Sequence, residues 1–446
     1  MIISEHIDGI IVTEMDGYVP RIVDAQLRDE LEAICAVEIR GAKWVGKTTT
    51  AEQFCKSAIY MNDPDSYAQN LELAKIKPSK ILEGKRPRLI DEWQMAPNLW
   101  DAVKFHVDHD NDDGMFILTG SVKPNSEGIR DVGAGRFTTL VMRTMSLFES
   151  GLSTGEVSMG ALFSGIQADG YSDLDLEGVA SALVRGGWPK SIGRSEGAAH
   201  KLVRAYCEAL LRTNISMPGV PDIEEKGAAG EVSERGMHRM ARVLRSLSRN
   251  TATQVPMTTI LEDVNSDQRS MDRNILSRYI KALQEIYAVE DLPAWTPNLR
   301  SKTAIRTSDT RHMSDPAIAA YFLDAGPEDL IGDLKTFGLL FESMVIRDLR
   351  VYAQANDGKV YHYRDKDGLE ADAIVHLFGG RWAAFEVKLG GQDAIDYGAK
   401  TLMALRDKVG GEGMKPPSFL AVITATGYAY TRPDGVHVIP IGCLRE

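Results

Sequence analysis

Residues 36–53 read AVEIRGAKWVGKTTTAEQ, and the fold is decided in this stretch. Ala36-Val37-Glu38-Ile39-Arg40 has the apolar content of a strand that stops at a glycine. Gly41-Ala42-Lys43-Trp44-Val45-Gly46-Lys47-Thr48 then fits GxxxxGK[ST] at every fixed position. The residues that follow, TTTAEQFCKSA, read as a helix. Glycines between a strand and a helix let backbone N–H groups curl around phosphate oxygens, and the helix N-terminus adds positive dipole. Gly41 and Gly46 therefore shape a phosphate loop. Lys47 is placed to reach the outer phosphates of ATP, the Thr48 hydroxyl to ligate Mg²⁺, and Thr49 joins them among the nucleotide-binding residues.

Working outward, Arg88-Leu89-Ile90-Asp91-Glu92 is an apolar strand ending in two carboxylates. Successive residues at a strand end point to opposite sides, which suits two tasks: Asp91 on Mg²⁺ and Glu92 on the attacking water. Taken alone, the pentapeptide reads equally as a solvated acidic turn. Phe116-Ile117-Leu118-Thr119-Gly120-Ser121 ends a third strand in small polar groups, bringing Thr119 or Ser121 towards the γ-phosphate; alone it reads equally as a strand-to-loop turn. Gly135-Arg136-Phe137 offers an arginine for the charge that develops in phosphoryl transfer, although a plain surface arginine fits the same residues. Arg143 is a weaker rival. Strands alternating with helical runs such as 22–35 imply a parallel α/β sheet.

At 446 residues the chain suggests about three domains. The composition shifts place them at 1–155, 156–330 and 331–446. The net charge is −12, so any nucleic-acid contact needs a local basic patch. Cys35, Cys55, Cys207 and Cys443 are scattered, without CxxC or a histidine at metal-ligand spacing, which argues against a disulfide framework or structural zinc and points to the reducing cytoplasm. The start, MIISEHIDGI, lacks the features of a signal peptide, and no run of about 18 apolar residues predicts a membrane span.

The middle region reads as helices at 200–213, 238–248 and 271–288, with a loop from Pro218 to Gly230. Residues 235–281 carry nine basic side chains against four acidic ones. Arg235, Arg239, Arg242, Arg245 and Arg249 recur every three or four residues and form one helical stripe. Helix, short helix, longer helix is winged-helix order, with 269–281 as the candidate reading helix for DNA. A solvated helix face, or a helix packed on acidic surface, explains the same charges.

The last region opens with a helix at 337–354, followed by strand-like runs at 359–364, 371–378 and 381–388. A turn at Gly379-Gly380 would bring Asp372 beside Glu386. Period-two alternation then sets Glu386 and Lys388 on one face, with Glu342 completing the group from the helix. The pattern D-x(n)-ExK resembles that of restriction-endonuclease-like nucleases. The resemblance implies that Glu342, Asp372 and Glu386 hold Mg²⁺ while Lys388 stabilises the phosphorane oxyanion. Charged residues facing solvent from a half-exposed sheet are the alternative. Gln392 and Tyr397 follow at a distance suited to accessory contacts.

Segments along the whole chain resemble a family of prokaryotic AAA-type ATPases fused to a C-terminal domain of unknown function. They include RIVD (21–24), the phosphate loop, RLIDEWQMAPNLWD (88–101), FILTGS, GAGRF (133–137), MRTMSLFES (142–150), GGWP (186–189), LPAWTPNLRSK (292–302), LLFESMVIRDLR (339–350), YRDKDGLEAD (363–372) and FEVKLGG (385–391). The lead into GAGRF, Ile129–Val132, departs from that pattern. The resemblance implies ATP and Mg²⁺ at Lys47, Thr48, Asp91 and Glu92, a sensor at Thr119 or Ser121, and Arg136 acting on a neighbouring copy in a homo-oligomer. The expected fold class is α/β: an N-terminal AAA-type parallel sheet, a helical winged-helix-like middle, and a C-terminal restriction-endonuclease-like domain. ATP hydrolysis coupled to Mg²⁺-dependent binding or cleavage of DNA is the leading expectation. A nucleotide-switched scaffold and a protein-remodelling ATPase are the alternatives.

Overall fold

The computed structural model describes residues 17–110, 112–121, 135–212, 234–265, 271–297, 308–411 and 414–446. The chain divides into two compact units, Met1–Met142 and Arg143–Glu446. The first contains α1 (Val23–Ala33), β1 (Ala36–Arg40), α2 (Lys47–Phe54), β2 (Ser57–Tyr60), α3 (Tyr67–Ile76), α4 (Ser79–Leu82), β3 (Arg88–Asp91), α5 (Asn98–Asp110), β4 (Phe116–Gly120) and β5 (Phe137–Val141). Its strands lie in the order β2-β3-β4-β1-β5, each parallel to its neighbours. A parallel sheet is covered on both faces, which is why Leu89, Ile90, Phe116, Ile117 and Leu118 are all fully buried instead of alternating. Because β4 separates β1 from β3, the phosphate loop and the acidic pair flank the end of β4. Three strand C-termini thus meet on one edge, where ligands of open α/β sheets bind.

The second unit contains β6 (Val157–Ser158), α6 (Met159–Phe163), β7 (Gly170–Ser172), α7 (Leu176–Arg185), α8 (Glu196–Arg212), α9 (Glu234–Arg249), α10 (Met257–Asn265), α11 (Arg273–Glu285), β8 (Val289–Leu292), β9 (Thr310–Met313), α12 (Pro316–Phe322), α13 (Pro327–Gly332) and α14 (Leu334–Ala355). It continues with β10 (Gly358–Arg364), β11 (Glu370–Leu377), β12 (Trp382–Lys388), α15 (Gln392–Gly411), β13 (Phe419–Thr424), β14 (Gly427–Thr431), β15 (His437–Pro440) and β16 (Leu444–Arg445). A mixed sheet runs β10-β11-β12-β13-β15-β14-β7. Its first three strands are antiparallel to one another; β12, β13 and β15 are parallel, with α15 as the crossover between β12 and β13.

Residues 156–330, expected as a helical, winged-helix-like region, also contain short strands. β7 extends the C-terminal sheet by pairing with β14, and β6 pairs with β16. Strands of two and three residues leave no period for a sequence to display. Regions 156–330 and 331–446 also fall in one compact unit. Side-chain caps start the helices: Asp175 accepts from Gly178 N, Asp272 from Asn274 N and Ile275 N, and Asp333 from Lys335 N and Thr336 N. Met240, Val243, Leu244 and Leu247 bury one face of α9 at helical spacing. After α11, β8 and β9 form an antiparallel pair, and Thr253, between α9 and α10, bridges to Arg311 on β9. Among the described residues, no helix is long and apolar enough to cross a membrane.

Candidate functional site

The phosphate loop joins β1 to α2, and left-handed backbone angles shape it: φ is +100° at Gly46 and +68° at Trp44, an uncommon angle for a residue with a side chain. Lys47 is buried and donates from Nζ to Gly41 O at 2.9 Å and Ala42 O at 2.8 Å. An ammonium has three protons; the third has no hydrogen-bond acceptor among the described residues. Burial lowers the Lys47 pKa to about 8, against the opposing fields of Glu92 and Asp91. A buried cation lined up with backbone N–H groups and a helix N-terminus is suited to a phosphate chain.

The acidic pair closes the other side. Thr48 Oγ1 and Thr119 Oγ1 each donate to Asp91 Oδ1 at 2.6 Å. Glu92 stands at φ +53° and is gripped by its carboxylate: Ser121 Oγ donates to Oε1 at 3.0 Å and the Gln94 amide to Oε2. Its backbone N–H donates to Thr119 Oγ1 at 3.3 Å. Thr48, Asp91, Glu92, Thr119 and Ser121, drawn from three segments, form one hydrogen-bonded set, with Lys47 beside Thr48 at the start of α2. Thr49 follows Thr48 in the first turn of α2, and its carbonyl accepts from Gln53 Nε2 at 3.1 Å.

Sequence reasoning missed the outer supports. The buried Arg21 guanidinium donates to Val45 O at 2.8 Å and braces the loop from behind. Tyr18 OH donates to Asp24 at 2.8 Å and lies 3.0 Å from Thr50 Oγ1 on α2. Trp93, in the DEWQ stretch, is fully buried and donates to Glu38 on β1 at 3.1 Å. The tetrad RIVD contains Arg21 and Asp24, but nothing in its spacing shows what they hold.

Arg136 lies at the start of β5 and meets Asp108 at 3.3 Å. Its carbonyl accepts from Ala36 N at 3.2 Å, so it sits level with the beginning of β1, at the sheet edge opposite the phosphate loop. Residues Ile129–Val132, which lead into the GAGRF segment, fall outside the described residues. Arg143, the rival, is engaged elsewhere: its guanidinium clasps Glu290 at 2.6 and 3.0 Å and reaches Gln354 at 3.0 Å.

The C-terminal group comes together as β11 and β12 pair in antiparallel register about Gly379-Gly380. The register between β10 and β11 shifts at Tyr361/Tyr363, setting Asp372 in an irregular turn of the strand. Such bulges re-aim side chains. Asp372 accepts from Val387 N at 2.7 Å and lies 3.5 Å from Lys388 Nζ, which also meets Glu386 at 2.6 Å. Burial, then Asp372, pushes the Glu386 carboxyl up to about 8 in spite of Lys388. Burial and Asp372 likewise raise Glu342 on α14 well above the usual carboxyl range. Burial works against the Lys388 ammonium, yet Asp372, Glu386 and Glu342 hold its pKa above the ordinary value. The oxygen donors are of the hard type that Mg²⁺ takes. However, among the described residues no three His, Cys, Asp or Glu side chains are grouped to hold a metal, and the Lys388 ammonium bridges the two strand carboxylates. Gln392 donates to Asp396 at 2.9 Å, and Tyr397 is exposed.

The arginine stripe on α9 is largely engaged within the fold. Arg242 donates to Val264 O at 3.1 Å, Arg249 meets Asp263 at 3.4 Å, and Arg245 meets Asp324 at 3.4 Å. Arg269 and the Arg235 side chain lie outside the described residues. On α11, Arg273, Arg278 and Lys281 are exposed while Leu276, Tyr279, Ile280 and Leu283 face inward.

Comparisons with known proteins agree with the first unit. Residues 35–150 match the family model described as "AAA domain". With the phosphate loop and acidic pair in place, the N-terminal unit is an AAA-type P-loop ATPase domain. Residues 176–329 match "Domain of unknown function (DUF8612)", and residues 337–444 match "Domain of unknown function (DUF4143)". Two uncharacterized mycobacterial proteins, Rv2008c of Mycobacterium tuberculosis and Mb2031c of Mycobacterium bovis, are each 23% identical over 368 residues, covering 82% of this chain and 72% of theirs. Among solved structures, the Walker-type ATPase PABY2304 of Pyrococcus abyssi is similar at 15% identity and a TM-score of 0.40, covering 67% of this chain and 94% of its own.

Proposed function

We propose that this protein hydrolyses ATP at the β1–β3–β4 edge and couples turnover to an action on DNA through its second unit. The observation that carries the hydrolytic reading is the bonded set Thr48–Asp91–Thr119 facing Lys47, with Glu92 held apart by Ser121 and Gln94. Mg²⁺ accompanying the triphosphate would be held by Thr48 and Asp91 and would supply charge neutralisation between phosphates. Lys47 grips the outer phosphates, Glu92 orients and polarises the attacking water, and Thr119 and Ser121 keep the two carboxylates in separate roles. Arg136 acts on the site of a neighbouring copy.

For the second unit we read α9–α10–α11 with the β8–β9 pair as a winged helix. The element order and the Thr253–Arg311 bridge support it, and the exposed cations of α11 supply its DNA-facing side. The helix–three strands–helix–strand order around Glu342, Asp372, Glu386 and Lys388 supports a restriction-endonuclease-like fold. A second reading has a specific observation in its favour. Lys388 already bridges Asp372 and Glu386, as a retained but inactive nuclease fold would leave it, so the unit would serve as a nucleotide-switched scaffold.

The test is phosphate release by the purified full chain with single-stranded DNA, duplex DNA or an unfolded polypeptide, beside Lys47→Ala. Stimulation by DNA supports the proposal; stimulation by polypeptide alone replaces it with protein remodelling. Absence of Lys47-dependent release sinks it. Plasmid incubated with Mg²⁺ or Mn²⁺ separates the two readings of the second unit: cleavage lost in Lys388→Ala supports a nuclease, and no metal-dependent cleavage supports the scaffold.

A further inference from the structure

The helical layer of the second unit encloses a half-open cavity of 620 Å³, built by α7, α8, α12 and the turn into α13. That volume is in the range of small-molecule sites. It shares no lining residue with the phosphate loop or the carboxylate cluster, and it lies within the segment matching a domain of unknown function. Its floor is made of small side chains, with Ala317 and Ala320 fully buried, and Val184, Val203 and the Tyr321 ring give apolar walls.

Arg185 is the anomaly in this lining. Its guanidinium donates to Ser150 Oγ at 3.2 Å and to Gly186 O at 3.4 Å, both neutral acceptors. Among the described residues no carboxylate comes within 4.0 Å of it. Burial acts first against its charge and the nearby Arg347 acts in the same direction, while Asp315 offsets only part, so its pKa lies below the ordinary guanidinium value. A guanidinium stays protonated regardless, which leaves a half-buried charge under-compensated at a cavity wall. Neighbouring arginines are treated differently: Arg204 meets Glu208 at 2.8 Å, and Arg347 is bonded to both Asp315 and Asp348.

A planar fork of donors with neutral partners suits a carboxylate or phosphate oxyanion. The rim adds a size and charge limit. Glu196 and Asp324 are exposed there and offset Arg204 and Arg185 in the lining, which leaves no basic excess for a polyanion such as a nucleic-acid strand. We propose that the cavity binds a small organic oxyanion, a carboxylate or phosphate monoester on a compact apolar body, with Arg185 as its anchor. The site stands independently of the ATPase and DNA readings.

The test is calorimetry or saturation-transfer NMR on the full chain with benzoate, phenyl phosphate and neutral benzyl alcohol as probes. At least one oxyanion binds saturably, and benzyl alcohol binds roughly tenfold weaker or less; Arg185→Met weakens the oxyanion by about the same factor, and Arg185→Lys retains part of the binding. The benzoate and phenyl phosphate arms tell carboxylate from phosphate. Ser181→Phe, which fills the mouth and leaves Arg185 in place, abolishes binding, and nucleotide affinity at the phosphate loop is unchanged in every variant. If Arg185→Met does not fold, Ser181→Phe decides alone. Oxyanions binding no better than benzyl alcohol, or binding that survives the cavity-filling variant, overturns the proposal.

Discussion

Gly41 does two jobs, only one of which its motif announces. The spacing GxxxxGK marks it as part of a phosphate loop. The fold adds that a Cβ there would lie 2.0 Å from Met142 O, at a backbone φ of +152°. Met142 N in turn donates to Arg40 O at 2.7 Å, so the loop's first residue is packed under the end of β5. That contact joins residues about a hundred positions apart and leaves no trace in local pattern. Gly41→Ala therefore damages folding as well as binding: a loss of about 2–4 kcal/mol, from backbone clash and strain, is expected in the first unit's unfolding transition. A variant that unfolds as wild type but no longer binds ATP would show that only the phosphate role matters. Glu92 is the cleaner catalytic probe, because Glu92→Gln keeps an acceptor for Ser121. Turnover should fall by roughly 10²-fold or more while nucleotide affinity holds, measured by single-turnover hydrolysis and equilibrium titration.

At the scale of elements, the carboxylate hairpin was readable because alternation and a Gly-Gly turn are local signals. The buried ion network behind it was not. Arg143, Glu290, Asp315, Arg347, Asp348 and Arg350 come from four separate segments. Gly187 N donates to Asp315 at 2.9 Å, and Leu147 N to Asp348 at 2.9 Å. The segments MRTMSLFES, GGWP and LLFESMVIRDLR thus share one physical reason to occur together: their charges and backbone groups satisfy each other inside the second unit. The α9 stripe teaches the converse, since its regular arginines are drawn to Val264, Asp263 and Asp324 and the period alone cannot tell this from a DNA face. The network makes an acid-stability prediction. Burial opposes the Glu290 charge, but Arg143 and Arg350 win and hold its pKa at about 2, below the ordinary glutamate value of 4.5. A depressed carboxyl stabilises the fold fully above pH 4.5 and loses that contribution as pH falls towards 2. The contribution is about 2 kcal/mol after allowance for partial exposure. In Glu290→Gln it is missing at neutral pH, so wild type and variant should converge in stability between pH 4.5 and 2. Parallel denaturation curves across that window would show that Glu290 does not carry it.

The sheet order of the first unit sets the constraint on the whole molecule. Arg136 and the phosphate loop occupy opposite ends of neighbouring parallel strands, because Ala36 pairs with Phe137 and Arg40 with Val141. Five residues of strand separate the two ends by roughly 15 Å, too far for Arg136 to attend the phosphates of its own chain. The sequence alone left Arg136 balanced between a surface residue and a catalytic cation; strand register, which no sequence displays, removes the option of action within one chain. The proposed role on a neighbouring copy therefore requires a head-to-tail contact in which one copy's β5 start faces the next copy's phosphate loop, an arrangement that closes into a ring or runs on as a filament. ATP turnover per subunit should then fall on dilution, and Arg136→Ala should be inactive while still binding ATP. The decisive experiment mixes Arg136→Ala with Glu92→Gln. The first has an intact hydrolytic site and no donor; the second has a donor and no hydrolysis. Random assembly from equal amounts places a working site beside a working donor at about a quarter of interfaces, so about a quarter of the wild-type rate should return. If the mixture stays as inactive as its parts, or if turnover per subunit ignores dilution, Arg136 is the surface residue that its ion pair with Asp108 already accommodates.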